Sequence, residues 1–287
     1  MSNLVFATCD ELPELDAGDR AVVAELRRLG HRARAAIWND AREDWAAADA
    51  VIVRSCWDYH LEVDRFLGWL DQLDAMGVGV GNPTPVLRWN LDKRYLLELA
   101  AQGTDVVPTH LVAPRTEWDL PAILEARGWQ DAVIKPAISL SAHRTWRCTP
   151  ANAAEVQQKF EAGQGGSGAL IQPFIPEIAR EGEWSLIYFA GRYSHAARKL
   201  PAAGDFRVQT EHGGSRQATE PPPEVRESSD ALVARRARDC LYARVDGVRW
   251  EGVWHLMELE LIDPELYVDR DAAAAARFAA AVAAAFS

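Results

Sequence analysis

The chain lacks most of the signatures that identify an enzyme at sight. Its four cysteines, Cys9, Cys56, Cys148 and Cys240, lie far apart and form no Cys-x-x-Cys pair. That argues against a zinc knuckle and a disulfide framework, and fits free thiols in a reducing compartment. No uninterrupted apolar run is long enough for a membrane span; the Ala-rich stretch 271–286 is short, contains Arg277 and reads as a terminal helix packed on the body. The first residues carry no basic segment or cleavage signal, so a cytoplasmic location is expected. Positive charge is scarce: the formal net charge is -11, which excludes wholesale binding to nucleic acid or an anionic membrane but leaves room for local phosphate sites. There is no Gly-x-x-x-x-Gly-Lys-Ser/Thr, no Gly-x-Ser-x-Gly and no His-Glu-x-x-His, so P-loop, serine-hydrolase and zincin chemistry are not indicated.

What is present is an ordinary globular composition. The 287 residues, 48% hydrophobic and 25% charged, suffice for a sizeable core and two or three lobes. Apolar runs at 4–8, 33–38, 50–54 and 78–80 alternate with helical patterns at 16–29 and 62–76, which predicts a small parallel α/β lobe. Pro83 and Pro85 mark a boundary. Beyond it the pattern predicts a long helix at 90–101, strands at 106–112, 132–136 and 144–148, and helices at 118–127 and 150–162. A hairpin follows at 183–197, then a helix from 221 to about 238 and a strand at 253–262. The glycine runs at 77–81 and 163–168 lack the helix or the Gly-Lys-Ser/Thr of a nucleotide loop and read as turns.

Carboxylates give the first chemical signal. Glu258 and Glu260 stand two apart in Leu-Met-Glu-Leu-Glu-Leu-Ile-Asp, and on a strand both face one way. Like charges that close are unfavourable unless a cation or water intervenes. Mg²⁺ is one solution, because it takes carboxylate oxygens and fills its other positions with phosphate oxygens and water. Asp246, on the preceding strand, would add a third oxygen. The plain alternative is a solvated acidic face, against which Leu256, Leu259, Leu261 and Ile262 draw the segment into a core. Lys135 closes Val-Ile-Lys-Pro, and the small-residue loop behind it, with Ser139 and Ser141, suits contacts to a phosphate tail. Lys93 opens a helix in Asn-Leu-Asp-Lys-Arg; each lysine alone reads equally as a surface residue. Arg207 lies among apolar neighbours, where an unpaired guanidinium is costly; a bound anion, Asp205 or Glu211 would pair it, and Lys199 offers charge nearby. His143, His195 and His212 show no ligand spacing.

Taken in order, these residues resemble the ATP-grasp superfamily of carboxylate–amine ligases, with glutathione synthetase and the ribosomal-protein glutamate ligases as relatives. The resemblance runs over roughly residues 85–270: Lys93 in Asn-x-x-Lys, Lys135 in Ile-Lys-Pro, Gln-Pro-Phe-Ile at 172–175, Glu183, Arg207 before Gly213-Gly214, Asp246, and Glu258-x-Glu260. It implies an α/β (α+β) ATP-grasp fold with an N-terminal pre-grasp lobe (1–85), a small central lobe (86–175) and a C-terminal antiparallel-sheet lobe (176–287). It also implies roles. Lys93 and Lys135 would hold ATP phosphates, Gln172, Phe174 and Ile175 would meet adenine, and Glu183 the ribose. Asp246, Glu258 and Glu260 would bind two Mg²⁺ ions, and Arg207 with Lys199 would stabilise the transferring phosphoryl group. Two departures stand out. Glu260 replaces the usual Asn and adds a negative charge, and the loop after Lys135 has serines where many relatives have glycines.

Three phrases, Arg-Ser-Cys-Trp-Asp-Tyr-His at 54–60, Lys-Leu-Pro-Ala-Ala-Gly-Asp-Phe-Arg-Val-Gln at 199–209 and Leu-Met-Glu-Leu-Glu-Leu-Ile-Asp-Pro at 256–264, resemble the cycloserine-forming subgroup, which closes O-ureido-D-serine into an isoxazolidinone ring. The reaction implied is activation of a small amino-acid-like carboxylate as an acyl-phosphate for attack by an amine. An intermolecular amino-acid or peptide ligase, a phosphotransferase and a non-catalytic nucleotide-binding module are the alternatives, and a homodimer or homotetramer is expected by analogy. The 54–60 loop follows a strand of the first lobe, where α/β lobes place ligand contacts. Arg54, Trp57, Asp58 and Tyr59 are therefore substrate candidates, Arg54 for a carboxylate and Asp58 for an ammonium. The alternative is a structural turn with Trp57 and Tyr59 in the inter-lobe core.

Overall fold

The computed structural model describes the chain except for residues 141, 164–167, 203–206, 209–212 and 272, and the side chain of 270. Its first part holds β1 (Asn3–Thr8), α1 (Ala17–Arg28), β2 (Arg32–Ile37), β3 (Ala50–Ser55), α2 (Val63–Met76) and β4 (Gly79–Gly81). The strands form a parallel sheet in the order β2-β1-β3-β4. β1 and β3 are buried on both faces, which is why they read as continuous apolar runs. Asp16 caps α1 by accepting from the amide of Asp19, and Gly77 ends α2 at φ 70, a left-handed cap that glycine takes without strain.

Of the helix expected at 90–101 only α4 (Tyr95–Ala101) forms, and α3 (Thr84–Asn90), not expected from the sequence, ends where that helix was to begin. The physical reason is Asn90, whose buried amide donates to the carbonyl of Leu259 (2.7 Å) and accepts from the amide of Leu261 (2.7 Å). That anchor holds the turn carrying Lys93 beside the C-terminal sheet. The strand expected at 106–112 shrinks to β5 (His110–Val112), with one separate bridge from Val106 to Leu256; Pro108 between them has no amide to donate. With β5, α5 (Leu120–Arg127), β6 (Ala132–Pro136), β7 (Trp146–Cys148), α6 (Ala153–Glu161) and β8 (Ala169–Pro173) form a small layer whose strands run β5-β8-β6-β7.

The third sheet is antiparallel. It comprises β9 (Glu183–Phe189), β10 (Arg192–Leu200), β11 (Ser215–Ala218), β12 (Tyr242–Trp250) and β13 (Val253–Glu260), ordered β11-β10-β9-β12-β13. α7 (Glu177–Arg180) precedes it and α8 (Pro223–Arg236) covers it. The terminal helix α9 (Ala274–Ala285) returns to the first lobe, where Phe278 stacks on Phe189 with centroids 4.8 Å apart and shares a core with Leu4, Val22 and Leu26. The buried Asn82 amide also ties first lobe to third, donating to the carbonyls of Tyr242 (2.9 Å) and Leu261 (2.7 Å). No helix among the described residues is long and apolar enough to cross a membrane, and all four cysteines are free and buried.

Candidate active site

Strand alternation builds the site. In the β9–β12–β13 ladder Ser185 lies opposite Asp246, Asp246 opposite Glu258, and Arg244 opposite Glu260; on the other side Lys199 of β10 lies opposite Glu183. These side chains share one face of the sheet. Neighbouring residues on the other face, Trp184, Leu186, Val245 and Leu259, enter a core beneath it. The polar face lines a cavity of about 720 Å³, within the usual range for small-molecule sites.

The basic residues interlock with the carboxylates. Lys93 donates to the carbonyl of Ser139 (2.6 Å) and pairs with Glu258 (2.8 Å). Lys199 bridges Glu183 (2.5 Å) and Asp246 (3.5 Å). Arg244 pairs with Asp246 (2.9 Å) and with Glu260. Burial alone would raise the Asp246 carboxyl, but Arg244 and Lys199 hold it well below the ordinary range. Burial likewise opposes the ionisation of Glu258, and Lys93 and Lys135 overcome it. Glu260 goes the other way: burial, with Glu258 and Asp246 as like-charged neighbours, pushes it well up despite Arg244. Burial also lowers the Lys135 ammonium, with Glu258 opposing.

Among the described residues no three carboxylate, imidazole or thiol groups converge as a ready-made metal centre. The three carboxylates expected to bind metal are each paired with a basic side chain. Their chemistry still suits a hard divalent ion, because all donors are oxygen. Burial first, then Glu258 and Asp246, raise the Glu260 carboxyl, and a bound cation would favour its ionised form.

One end of the cavity is apolar. Ile175, Ile178, Val107 and Val208 cluster there with Met257 packed against them. Phe174 donates its amide to the carbonyl of Asp131 (2.9 Å), with the Arg147 guanidinium 3.7 Å over its ring. Gln172 donates to the Thr109 hydroxyl (2.9 Å). The Ser139 hydroxyl donates to the carbonyl of Pro136 (3.1 Å), closing the turn behind Lys135. Arg207 also lines the cavity; its proposed partners Asp205 and Glu211, and Ser141, lie outside the described residues.

The other end meets the first lobe. Arg54, 1% exposed, pairs with Asp19 at 3.0 Å and donates to the carbonyl of Pro264 at 2.7 Å. Its guanidinium lies 4.8 Å over the Tyr242 ring. Trp57 donates to the carbonyl of Asp263 (3.4 Å). Arg54 and Trp57 line the cavity; Asp58 and Tyr59 do not. Asp58 instead accepts from the Trp38 indole (2.6 Å). Tyr59 is buried against Phe66, with ring centroids 5.0 Å apart, in the core of the first lobe. Tyr59 thus sits in the first-lobe core, and Trp57 sits at the cavity wall where the first lobe meets Asp263.

Asp19, Arg244 and Asp263 are among the cavity residues that the sequence did not single out. The alternation that pairs Glu258 with Glu260 also pairs Arg244 with Asp246, so Arg244 could have been found. Lysine is rare as well: Lys93, Lys135, Lys159 and Lys199 are the chain's whole supply, and all but Lys159 line the cavity.

Comparison with known proteins accords with this geometry. The family described as "D-cycloserine synthetase DcsG, N-terminal domain" matches residues 4–82. The cycloserine biosynthesis protein DcsG of Streptomyces lavendulae is 33% identical over 274 residues, covering 90% of each chain. The crystal structure of D-cycloserine synthetase DcsG superimposes with a TM-score of 0.88 at 30% identity, over 99% of both chains. A more distant structure is the ATP-grasp ligase PsnB, complexed with a phosphomimetic variant of its minimal precursor, Mg and ADP. It shares the fold at a TM-score of 0.65 and 16% identity, over 99% of this chain and 98% of that one.

Proposed function

The chain belongs to the D-cycloserine synthetase family of ATP-dependent, ADP-forming carboxylate–amine ligases, and from that premise we propose that it closes an amino-acid-like substrate on itself, converting O-ureido-D-serine to D-cycloserine. The observation that carries the reading is the single polar sheet face. It sets the basic and acidic groups of a phosphoryl-transfer site between an apolar end fit for a base and a polar corner fit for a small acid. Gln172, Phe174 and Ile175 receive the adenine, and Glu183 the ribose once Lys199 turns to the phosphates. Lys93, Lys135 and the Ser139 turn hold the phosphate tail. Asp246, Glu258 and Glu260 would hold Mg²⁺, which would offset charge on the phosphate oxygens.

A carboxylate is a poor electrophile, and phosphorylation turns one of its oxygens into a leaving group. Arg207, Lys199 and Arg244 stabilise the charge that builds up on the transferring group, so catalysis is positioning plus electrostatics. Arg54 and Trp57 hold the acid from the first lobe. The nitrogen bonded to the side-chain oxygen then attacks the acyl carbon and gives up its proton, phosphate departs, and the ring closes as an N-carbamoyl isoxazolidinone. Water then cleaves the carbamoyl group, which leaves as carbon dioxide and ammonia, and the ring nitrogen of D-cycloserine takes a proton. Enclosure between lobes limits hydrolysis of the acyl-phosphate.

The test is Mg²⁺-dependent ADP release with a panel of amino acids and O-substituted serines, followed by mass spectrometry. ADP formed with O-ureido-D-serine alone, together with a cyclic product, supports ring closure. ADP formed only when a second amine is supplied would replace it with an intermolecular ligase. ADP formation with a stable phosphorylated product would mean a phosphotransferase.

A further inference from the structure

At the first-lobe corner of the cavity two polar atoms are shut from water without partners: Nη1 of Arg54 and Oδ2 of Asp263. Arg54 is 1% exposed and Asp263 3%, and both residues belong to the cavity wall. They are held together, because Arg54 Nη2 is bonded to the carbonyl of Pro264, the residue after Asp263. A buried polar group without a partner is costly and uncommon in native proteins. Two in one corner of a ligand cavity point to a ligand that satisfies both.

The charge balance says which kind. The positive charge of Arg54 is already met by Asp19, which also accepts from Ser55 (3.2 Å). What Arg54 has left is a hydrogen-bond donor rather than an unmatched charge. Burial raises the Asp263 carboxyl to about 8, against the pull of Arg54, so at neutral pH it too offers an acceptor oxygen without net charge. A carboxylate would find no free cation here, and an ammonium would face the Arg54 guanidinium. A neutral group with a carbonyl beside an N–H fits both orphan atoms.

We propose that this corner is the subsite for an uncharged carbamoyl-type group, whose carbonyl accepts from Arg54 and whose N–H donates to Asp263. The assignment rests on the ring-closing reading, in which that group is the substrate's ureido end. It makes Asp263 a specificity-determining residue. Asp263 follows Glu260 by one short turn of chain, so a ureido group held here leaves the carboxyl end of the same molecule toward the carboxylates of β13.

The experiment uses the full chain with Mg²⁺ and ATP. KM is measured for O-ureido-D-serine and for the same acid without its carbamoyl group, an inhibition constant standing in where an acid releases no ADP. The wild type is expected to prefer the ureido acid. Asp263→Leu keeps the approximate shape and removes the acceptor. It should lose about tenfold of that preference without a fall in thermal midpoint. Asp263→Asn, which retains a carbonyl oxygen, should keep most of it, and Asp263→Ala serves in place of Leu if that variant does not fold. Equal weakening of both acids would assign the corner to the α-amino group, and no change in either would leave it without a ligand; both overturn the proposal while ring closure stands. A wild type that releases no ADP with the ureido acid overturns the ring-closing reading, and this assignment falls with it.

Discussion

On the C-terminal sheet Lys93, Lys199 and Arg244 interleave with Glu183, Asp246, Glu258 and Glu260, and Lys199, Arg244 and Asp246 each pair with two opposite charges. At the first-lobe corner Arg54 has one ion-pair partner among the described residues, Asp19, and both side chains are almost fully enclosed. The first cluster can exchange partners, because removing or adding one charge leaves others in reach. That is what a site receiving phosphates and a cation needs. The second has no spare partner for its charge, so it can only hold its shape. One cavity thus joins an adaptable electrostatic floor to a fixed wall.

The sharpest way to break the comparison is at the wall. Arg54→Met leaves Asp19 buried beside Ser55 without its cation, and should cost about 3–5 kcal/mol in urea denaturation. Adding Asp19→Leu should recover most of that loss, because the pair is replaced by apolar groups of similar volume. If the single variant is as stable as wild type, the wall is no more rigid than the floor. On the floor, Glu258→Gln should leave a folded chain, since Lys93 keeps the Ser139 carbonyl and Lys135 is only partly enclosed. Its ADP release should fall by about two to three orders of magnitude, the scale of losing one electrostatic group at a reacting centre. Titration with Mg-ADP checks whether the loss lies in binding or in transfer.

A third prediction concerns pH. The carboxyls of Asp19 and Asp263 are raised by burial to about 6 and about 8, from an ordinary 3.8. Between those limits the folded chain binds protons that the unfolded chain has released. Stability therefore falls as pH rises, the Asp19 part from about 4 to 6 and the Asp263 part from about 4 to 8. Urea midpoints across that range should decline less in Asp263→Leu than in wild type, by the equivalent of a few kcal/mol. Parallel curves would mean that Asp263 is not desolvated in the folded chain.

Much of the floor was legible in the sequence, for a physical reason. Its residues lie two apart on strands, and alternation alone puts Glu258 with Glu260 on one face. Arg244 obeyed the same rule and was passed over because a lone Arg-x-Asp carries little signal. The wall was not legible. Asp19 in the first turn of α1 reads as an ordinary acidic residue at a helix N-terminus, and only the fold of the first lobe brings it to Arg54 on β3. The break between α3 and α4 was hidden for a similar reason. The apolar spacing continues through Leu91, while the cause of the break is a tertiary bond from Asn90 to β13. Local patterns reach as far as one sheet face, whereas contacts between lobes depend on residues more than a hundred and fifty positions apart, such as Arg54 and Pro264.

The smallest expected effect tests where the wall ends. Asp58 and Tyr59 are neighbours of Trp57 in sequence, yet they turn into the first lobe: Asp58 accepts from the Trp38 indole, and Tyr59 packs on Phe66. Asp58→Asn keeps an acceptor for the indole, and Tyr59→Phe keeps the ring. Both should leave kcat/KM for the acid within about twofold, because a group that does not touch the substrate has no binding energy to withdraw. Tyr59→Phe should also leave the pH profile unchanged, since burial holds its phenol well above the ordinary range. A rise in KM confined to Asp58→Asn would extend the substrate surface across the 54–60 turn and give the acid's ammonium a partner outside the corner formed by Arg54 and Asp263.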